Sequence, residues 1–255
     1  MKRGDVVVKR GDLLVPGKVG AIAALGKVTV NVYAKPTISV ISTGSEVKPL
    51  GTELMAGQIF DINSYTFNAI ISANGGIPMV QDIIPDESNA LRTALERGAE
   101  KDMIVLSGGS SVGSRDLLYE AVEELGEVLF HGVHVKPGKP TLFGLVAGKP
   151  VFGMPGNPTS CLSNAYLFLV PALRIAAGLP DAEPRQIKAE MASRVVASSG
   201  REQFLTVRLE AGRAYPVFKK SGTITSMTHA DGYIVLPVNV DVIEEGEEVT
   251  VTLFN

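Results

Sequence analysis

The chain has 255 residues, room for one large or two modest domains, and its 45% hydrophobic content suffices for real cores. Lys and Arg number 24 against 27 Asp and Glu, so no global basic field recruits nucleic acid, and any attraction for an anion has to be local. Cys161 is the sole cysteine, which excludes an internal disulfide and a cysteine-based zinc site and suits a reducing compartment. The opening MKRGDVVVKRGD returns to charge after three valines, with no signal-peptide apolar core. The longest apolar run, residues 165–173, contains Pro171 and falls far below the roughly 20 residues of a membrane helix. A soluble cytoplasmic protein is expected, with neither nucleic acid nor membrane as partner.

Residues 1–35 do not read as a complete unit. A helical candidate at 19–25 lies between Gly17 and Gly26, and a strand is expected at 28–32. So short a piece buries no core by itself, and the expectation is a remnant of a preceding domain packed on the next one. From Pro36, strand and helix alternate. Strands are predicted at 37–41, 79–84, 103–106, 128–135, 141–146 and 151–154. Helices are predicted from Asp61 to Asn74, stopped by Gly75 and Gly76, and from Asp86 to Arg97, with Leu91, Ala94 and Leu95 on one face. Leu117, Leu118, Ala121, Val122 and Leu125 mark another. Asn157 as N-cap with Pro158 at the first helical position starts a last one, running to about Ala177. The fold class is therefore α/β, a mostly parallel sheet with helices on both faces, over residues 36–179. After Gly178-Leu179-Pro180 the pattern changes to short alternating segments (204–209, 215–218, 233–236, 249–253), so residues 180–255 are expected to form a small all-β domain.

Parallel sheets bind ligands beyond the carboxyl ends of their strands. The unusual loops, 42–46, 85–86, 107–116 and 155–160, all follow strands and so gather at one edge. In DMIVLSGGSSVGSRD (102–116) a buried strand breaks into a glycine-rich turn and a helix, a place suited to phosphate. Asp116 then sets a carboxylate beside that place, which a metal or a chemical task would justify; the plainer reading has Ser114 as helix cap and Asp116 favouring the first turn. Glu46 and Asp86 read singly as a turn carboxylate and an N-cap, yet with Asp116 they place carboxylates on adjacent strand ends. Lys136 and Lys139 flank a Pro-Gly turn stiffened by two prolines, which holds ammonium groups at fixed spacing for an oxyanion, although such loops are often merely solvated. No Gly-x-x-x-x-Gly-Lys-Ser/Thr or Gly-x-Gly-x-x-Gly string occurs, and His131, His134 and His229 lack metal-site spacing and read as structural.

The strings VISTGSE (40–46), GQIFDIN (57–63), IIPDE (83–87), LSGGSSVGSRD (106–116), VKPGKP (135–140) and GMPGNPTS (153–160) resemble the molybdopterin molybdenumtransferases, relatives of the gephyrin E domain. GTITSMTHADGYIVLP (222–237) resembles that family's last β domain. The resemblance implies the molybdopterin-binding fold and insertion of molybdate (or tungstate) into adenylylated molybdopterin, with release of AMP and dependence on Mg²⁺. It implies an acidic catalytic and metal site of Glu46, Asp86 and Asp116. Lys136, Lys139, Ser160 and Ser226 match the family's oxyanion site, while Thr43, Gly44, Ser107, Gly108, Gly109, Ser111, Gly156 and Asn157 line the substrate loops. Some members place an arginine where this chain has Thr206, and Arg208, further along the strand, is the candidate replacement. The family also has a preceding region, with an Asp-Gly-Tyr-Ala motif, that contributes to a homodimer; the motif is absent from this sequence. Two other readings stay open, a molybdopterin adenylyltransferase and a non-catalytic molybdopterin-binding or scaffold module.

Overall fold

A computed structural model describes residues 2, 4–108, 116–180, 184–198, 200–217 and 224–254. Helix α1 (Pro16–Ala24), with proline in its first turn, buries only Ile22. Residues 28–32, expected as a strand, form none: no neighbouring strand offers them a ladder, and Val28 is 97% exposed. The arm is tied down instead by Tyr33, whose hydroxyl accepts from Arg10 Nε at 3.1 Å and whose ring lies over Gly178.

Strand β1 (Thr37–Ser42) is followed by β2 (Val47–Lys48) and β3 (Ile59–Phe60), a short parallel pair outside the main sheet. Next come α2 (Asn63–Ala73), β4 (Ile77–Val80), α3 (Ser88–Gly98), β5 (Met103–Ser107), α4 (Leu117–Leu125), β6 (Gly126–His131), β7 (Val135–Lys136), β8 (Leu142–Val146) and β9 (Lys149–Met154). The main sheet has the order β4-β1-β5-β9-β8-β6. Its first four strands are parallel, β8 runs antiparallel to β9, and the outer strand β6 antiparallel to β8. Ala147 and Gly148 account for that edge: both have positive φ (47° and 74°), the backbone of a two-residue hairpin turn, which folds β9 straight back along β8.

Apolar side chains fill both faces. Ile38, Val40, Met103, Val105 and Met154 pack against α2 and the helix after β9. Ile41, Ile104, Leu106 and Val151 pack against α3 and α4. The helix after β9 consists of α5 (Pro158–Asn164), a π-helical turn (Ala165–Leu169) and α6 (Val170–Ala176). Its register shifts where Val170 N–H bonds Ala165 O, just before Pro171, which has no N–H to offer.

Beyond lie β10 (Gln186–Met191), β11 (Val195–Val196), β12 (Glu202–Glu210), β13 (Arg213–Pro216), α7 (Thr225–Thr228), β14 (Gly232–Leu236), β15 (Val242–Ile243) and β16 (Glu248–Leu253). Pairing runs β13-β10-β16-β14-β12, and β12 returns to β13, so these strands close a small barrel around Met191, Leu205, Val207, Ile234 and Val251. Strands β11 and β15 form a separate antiparallel pair. The single strand expected at 128–135 is instead divided. Strand β6 stays on the edge of the first sheet, and β7 pairs parallel with β12, with Lys136 opposite Gln203. Aromatic rings join the two parts: Tyr166 of the π turn meets Phe254 at 4.7 Å and Tyr233 at 6.1 Å, and Tyr233 stacks in turn on Phe204 within the barrel at 4.3 Å between centroids. Among the described residues no helix is long and apolar enough to cross a membrane.

Candidate functional site

The carboxyl ends of β1, β5 and β9 are laced together by backbone bonds. Thr43 N–H donates to Ser107 O at 2.9 Å, Gly108 N–H to Met154 O at 3.2 Å, and Gly44 N–H to Ile84 O at 3.3 Å. Gly108 is required here, since its φ is +89° and a Cβ would stand 2.6 Å from the Thr43 carbonyl oxygen. Asn63 closes the edge from α2, its Nδ2 donating to Gly156 O at 2.9 Å. Below it, buried Asp61 accepts from Ser42 Oγ at 3.0 Å and Ser64 N–H at 3.1 Å. Thr43 Oγ1 and Asn63 Oδ1 remain buried with no hydrogen-bond partner, polar atoms that a ligand's donors can satisfy.

The expected carboxylates occupy different settings. Glu46 and Asp86 are exposed on neighbouring loops and make no side-chain hydrogen bond or ion pair among the described residues. Asp86 precedes the N-cap of α3, which is Glu87. Asp116 is buried; its Oδ1 accepts Tyr119 N–H at 3.1 Å, which makes Asp116, not Ser114, the N-cap of α4. Its Oδ2 lies 3.0 Å from His131 Nε2 without the alignment of a hydrogen bond. Among the described residues no group of three His, Cys, Asp or Glu side chains gathers as a metal's ligands, so Glu46, Asp86 and Asp116 do not form one preassembled cluster. Magnesium needs less, because it keeps several waters and takes one or two carboxylates plus substrate phosphate oxygens. Glu46 and Asp86, unpaired at the same edge, suit that role. Gly109 and Ser111 lie outside the described residues.

Beside this edge opens a cavity of about 370 Å³ between the α/β part and the barrel. Lys136, Lys139, Asn157, Ser160 and Ser226 line it, so the expected oxyanion residues do meet, drawn from β7 and the loop after it, the start of α5, and α7. The loop carrying the lysines is clamped from α5: Asn164 Nδ2 donates to Gly138 O at 2.7 Å and to Thr141 Oγ1 at 2.5 Å. Gly138, with φ +112°, leaves no room for a Cβ against that amide. Lys136 donates to Ser198 Oγ, and β7 fixes its backbone. Among the described residues no Asp or Glu lines the cavity.

Arg208 does not line it. Its guanidinium pairs with Glu210 at 2.7 Å and lies over the Tyr215 ring at 5.0 Å, while Thr206 faces the cavity and donates its hydroxyl to Val217 O at 2.7 Å. Alternation puts Thr206 and Arg208 on the same face of β12, but Arg208 stands two residues further along the strand, opposite Tyr215 of β13 and past the cavity. Arg201, Gln203 and Phe204 line the cavity without having been expected. Gly200-Arg201 heading a strand was the available signal, but nothing local revealed that β7 would draw this end of β12 against the lysine loop.

Two family profiles match the chain, one described as "Probable molybdopterin binding domain" over residues 39–175 and one described as "MoeA C-terminal region (domain IV)" over residues 188–254. A relative from Methanocaldococcus jannaschii is 33% identical, covering 99% of this chain and 64% of the relative. A molybdopterin molybdenumtransferase of Staphylococcus aureus is 32% identical, covering 92% of this chain and 58% of the enzyme. The crystal structure of a molybdopterin biosynthesis MoeA protein from Pyrococcus horikoshii superposes with a TM-score of 0.88 at 42% identity, over 98% of this chain and 62% of that one. The chain thus spans less than two thirds of the length of these relatives. It belongs to the molybdopterin-binding domain family, in the MoeA-type form that carries the C-terminal region.

Proposed function

We propose that this chain provides the molybdopterin- and molybdate-handling parts of a molybdopterin molybdenumtransferase, which inserts molybdate into adenylylated molybdopterin and releases AMP. The observation that carries the reading is the cavity beside the parallel strand ends, lined by Lys136, Lys139, Arg201, Ser160 and Ser226 and, among the described residues, by no carboxylate. Its charge suits a doubly negative tetrahedral oxyanion, and its hydroxyls can donate to the remaining oxygens. The glycine-lined strand ends, with Thr43 Oγ1 and Asn63 Oδ1 unspent, would hold the pterin and its pyrophosphate. Glu46 and Asp86 would hold Mg²⁺, which when bound neutralises charge on the phosphoanhydride that water cleaves. Asp116 would keep the start of α4 and the adjoining glycine loop in place around that group. Lysine and serine side chains would hold molybdate while the two pterin sulfurs bond to molybdenum and one molybdate oxygen leaves as water, carrying off the two thiol protons. A cytoplasmic setting and a homodimer belong to the same reading. The exposed apolar side chains Leu54, Met55, Ile59 and Phe60 offer a face to a second copy.

The test is AMP release from adenylylated molybdopterin, assayed on this chain alone and with the preceding region supplied. Release that requires molybdate supports the transferase. Consumption of ATP with molybdopterin indicates an adenylyltransferase, and pterin binding with neither reaction a binding module.

A further inference from the structure

The two lysines of the cavity are held in different ways. Lys136 donates to Ser198 Oγ, and its backbone pairs with Gln203 through β7. Lys139 makes no side-chain hydrogen bond or ion pair among the described residues, so its ammonium stands wherever the loop backbone puts it. That backbone is pinned on both sides of the residue. The Lys139 carbonyl accepts from Val133 N–H and Thr141 N–H, each at 2.9 Å. The Gly138 carbonyl before it accepts from Asn164 Nδ2 at 2.7 Å and from Thr141 Oγ1 at 3.0 Å, and Asn164 Nδ2 also donates to Thr141 Oγ1 at 2.5 Å.

Asn164 is fully buried, yet its Oδ1 has no hydrogen-bond partner. An amide half used in the interior costs stability, so what this one supplies is placement, with its donor group spent on the lysine loop. It ends α5 four residues after Ser160, and positions four apart share one face of a helix. The same face thus gives a hydroxyl to the cavity and an amide to the loop. An ammonium on a flexible four-carbon stem binds an oxyanion more tightly when its root is fixed, because less freedom is lost on binding. We propose that Asn164 is a positioning residue of the oxyanion site: through the Gly138 carbonyl it sets Lys139 at a fixed spacing from Ser160, so that ammonium and hydroxyl reach one tetrahedral dianion together. This rests on the oxyanion reading of the cavity and names the residue that organises its untethered lysine. Asn164 itself does not line the cavity and acts only through the loop.

The experiment is equilibrium dialysis of molybdate against the full 255-residue chain, with bound molybdenum read by mass spectrometry. Lys139→Ala should weaken binding by about 10-fold or more, the scale of a lost charged hydrogen bond. Asn164→Ala should weaken it by about 5-fold, the scale of coupling within one hydrogen-bond network. The double variant should bind no more weakly than Lys139→Ala alone, because Asn164 acts through that lysine. In a Lys136→Ala background the Asn164→Ala loss should persist in full, since Lys136 is aimed from the barrel. A merely structural role would spread its effect over both lysines alike. Thr141→Val keeps the shape of a buried side chain while cutting the same clamp, so it should show the same dependence on Lys139, and it decides the matter if Asn164→Ala does not fold. Parental affinity in Asn164→Ala, or in Thr141→Val in its place, with loss in Lys139→Ala, overturns the role of Asn164 and leaves the oxyanion site standing. So does an Asn164→Ala loss that multiplies the loss from Lys139→Ala. Absence of molybdate binding by the parent chain, or parental binding in Lys139→Ala, overturns the oxyanion reading and this proposal together.

Discussion

Asp116 Oδ2 stands 3.0 Å from His131 Nε2 while its Oδ1 caps α4 at Tyr119 N–H, so one carboxylate ties the helix start to the sheet's outer strand. Capping and charge can be separated by substitution. Asn caps about as well as Asp, so Asp116→Asn should cost under about 1 kcal/mol in urea unfolding, whereas Asp116→Ala should cost about 1 kcal/mol or more. If the charge also serves the reaction, Asp116→Asn should lower AMP release about 100-fold. Near-parental release would leave Asp116 as a cap alone.

At Gly108 two strand ends press together. A Cβ there would meet Thr43 O at 2.6 Å in a backbone conformation that side chains rarely adopt. Gly108→Ala should therefore destabilise by about 1–3 kcal/mol and displace Thr43, lowering pterin affinity as well. Gly148→Ala is the control, since it has positive φ but nothing within 4 Å of its Cβ. A loss of stability in Gly108→Ala no larger than in that control would show that the edge relaxes freely.

Asp102 links stability to pH. Its carboxyl lies below the usual 3.8, first because Thr37 N–H donates to it and then because the Thr37 hydroxyl does, each at 2.8 Å. A depressed carboxyl stabilises the fold fully above its unfolded value, and that contribution disappears as pH falls through the folded one. The stability difference between the parent chain and Asp102→Asn should be constant above about pH 5 and shrink below 3.8. A difference that grows on acidification would contradict the bonding of Asp102 by Thr37.

Cys161 is buried in the core against β5 and β9, and burial, then the charge of Asp61, pushes its thiol well above 9.0. It should resist a disulfide reagent at pH 8 in the native chain and react once urea unfolds it. Rapid native labelling would show that this core opens locally.

Much of the fold could be read from local pattern. Leu91, Ala94 and Leu95 do form the buried stripe of α3, and Asn157-Pro158 does start a helix whose C-cap is Ala177. What escaped depends on distant partners. Residues 28–32 have the β-branched composition of a strand but no strand to pair with, and β7 is two residues long because the barrel, not its own sequence, recruits it. The lysines could be singled out because a proline-stiffened loop holds them at fixed spacing, whereas Ser160 and Ser226 were named only through the family resemblance; the structure adds that all four line one cavity. Arg201 could not be, since a lone arginine at a strand start is ordinary until tertiary packing sets it on the cavity wall.

Strand β7 has one more consequence. Lys136 comes from the stretch between β6 and β8, yet its backbone is held in register by Gln203 of the barrel. A cut near residue 180 would separate the lysine from the strand that aims it and leave the outer edge of β12 without its partner, an invitation to intermolecular strand pairing. The boundary that periodicity marks in the sequence is thus not one in the energetics of the lysine-lined cavity. Protein engineers who want that pocket in a smaller molecule would need to keep both sheets, or to graft residues 135–136 onto the barrel as a covalent strand of its own.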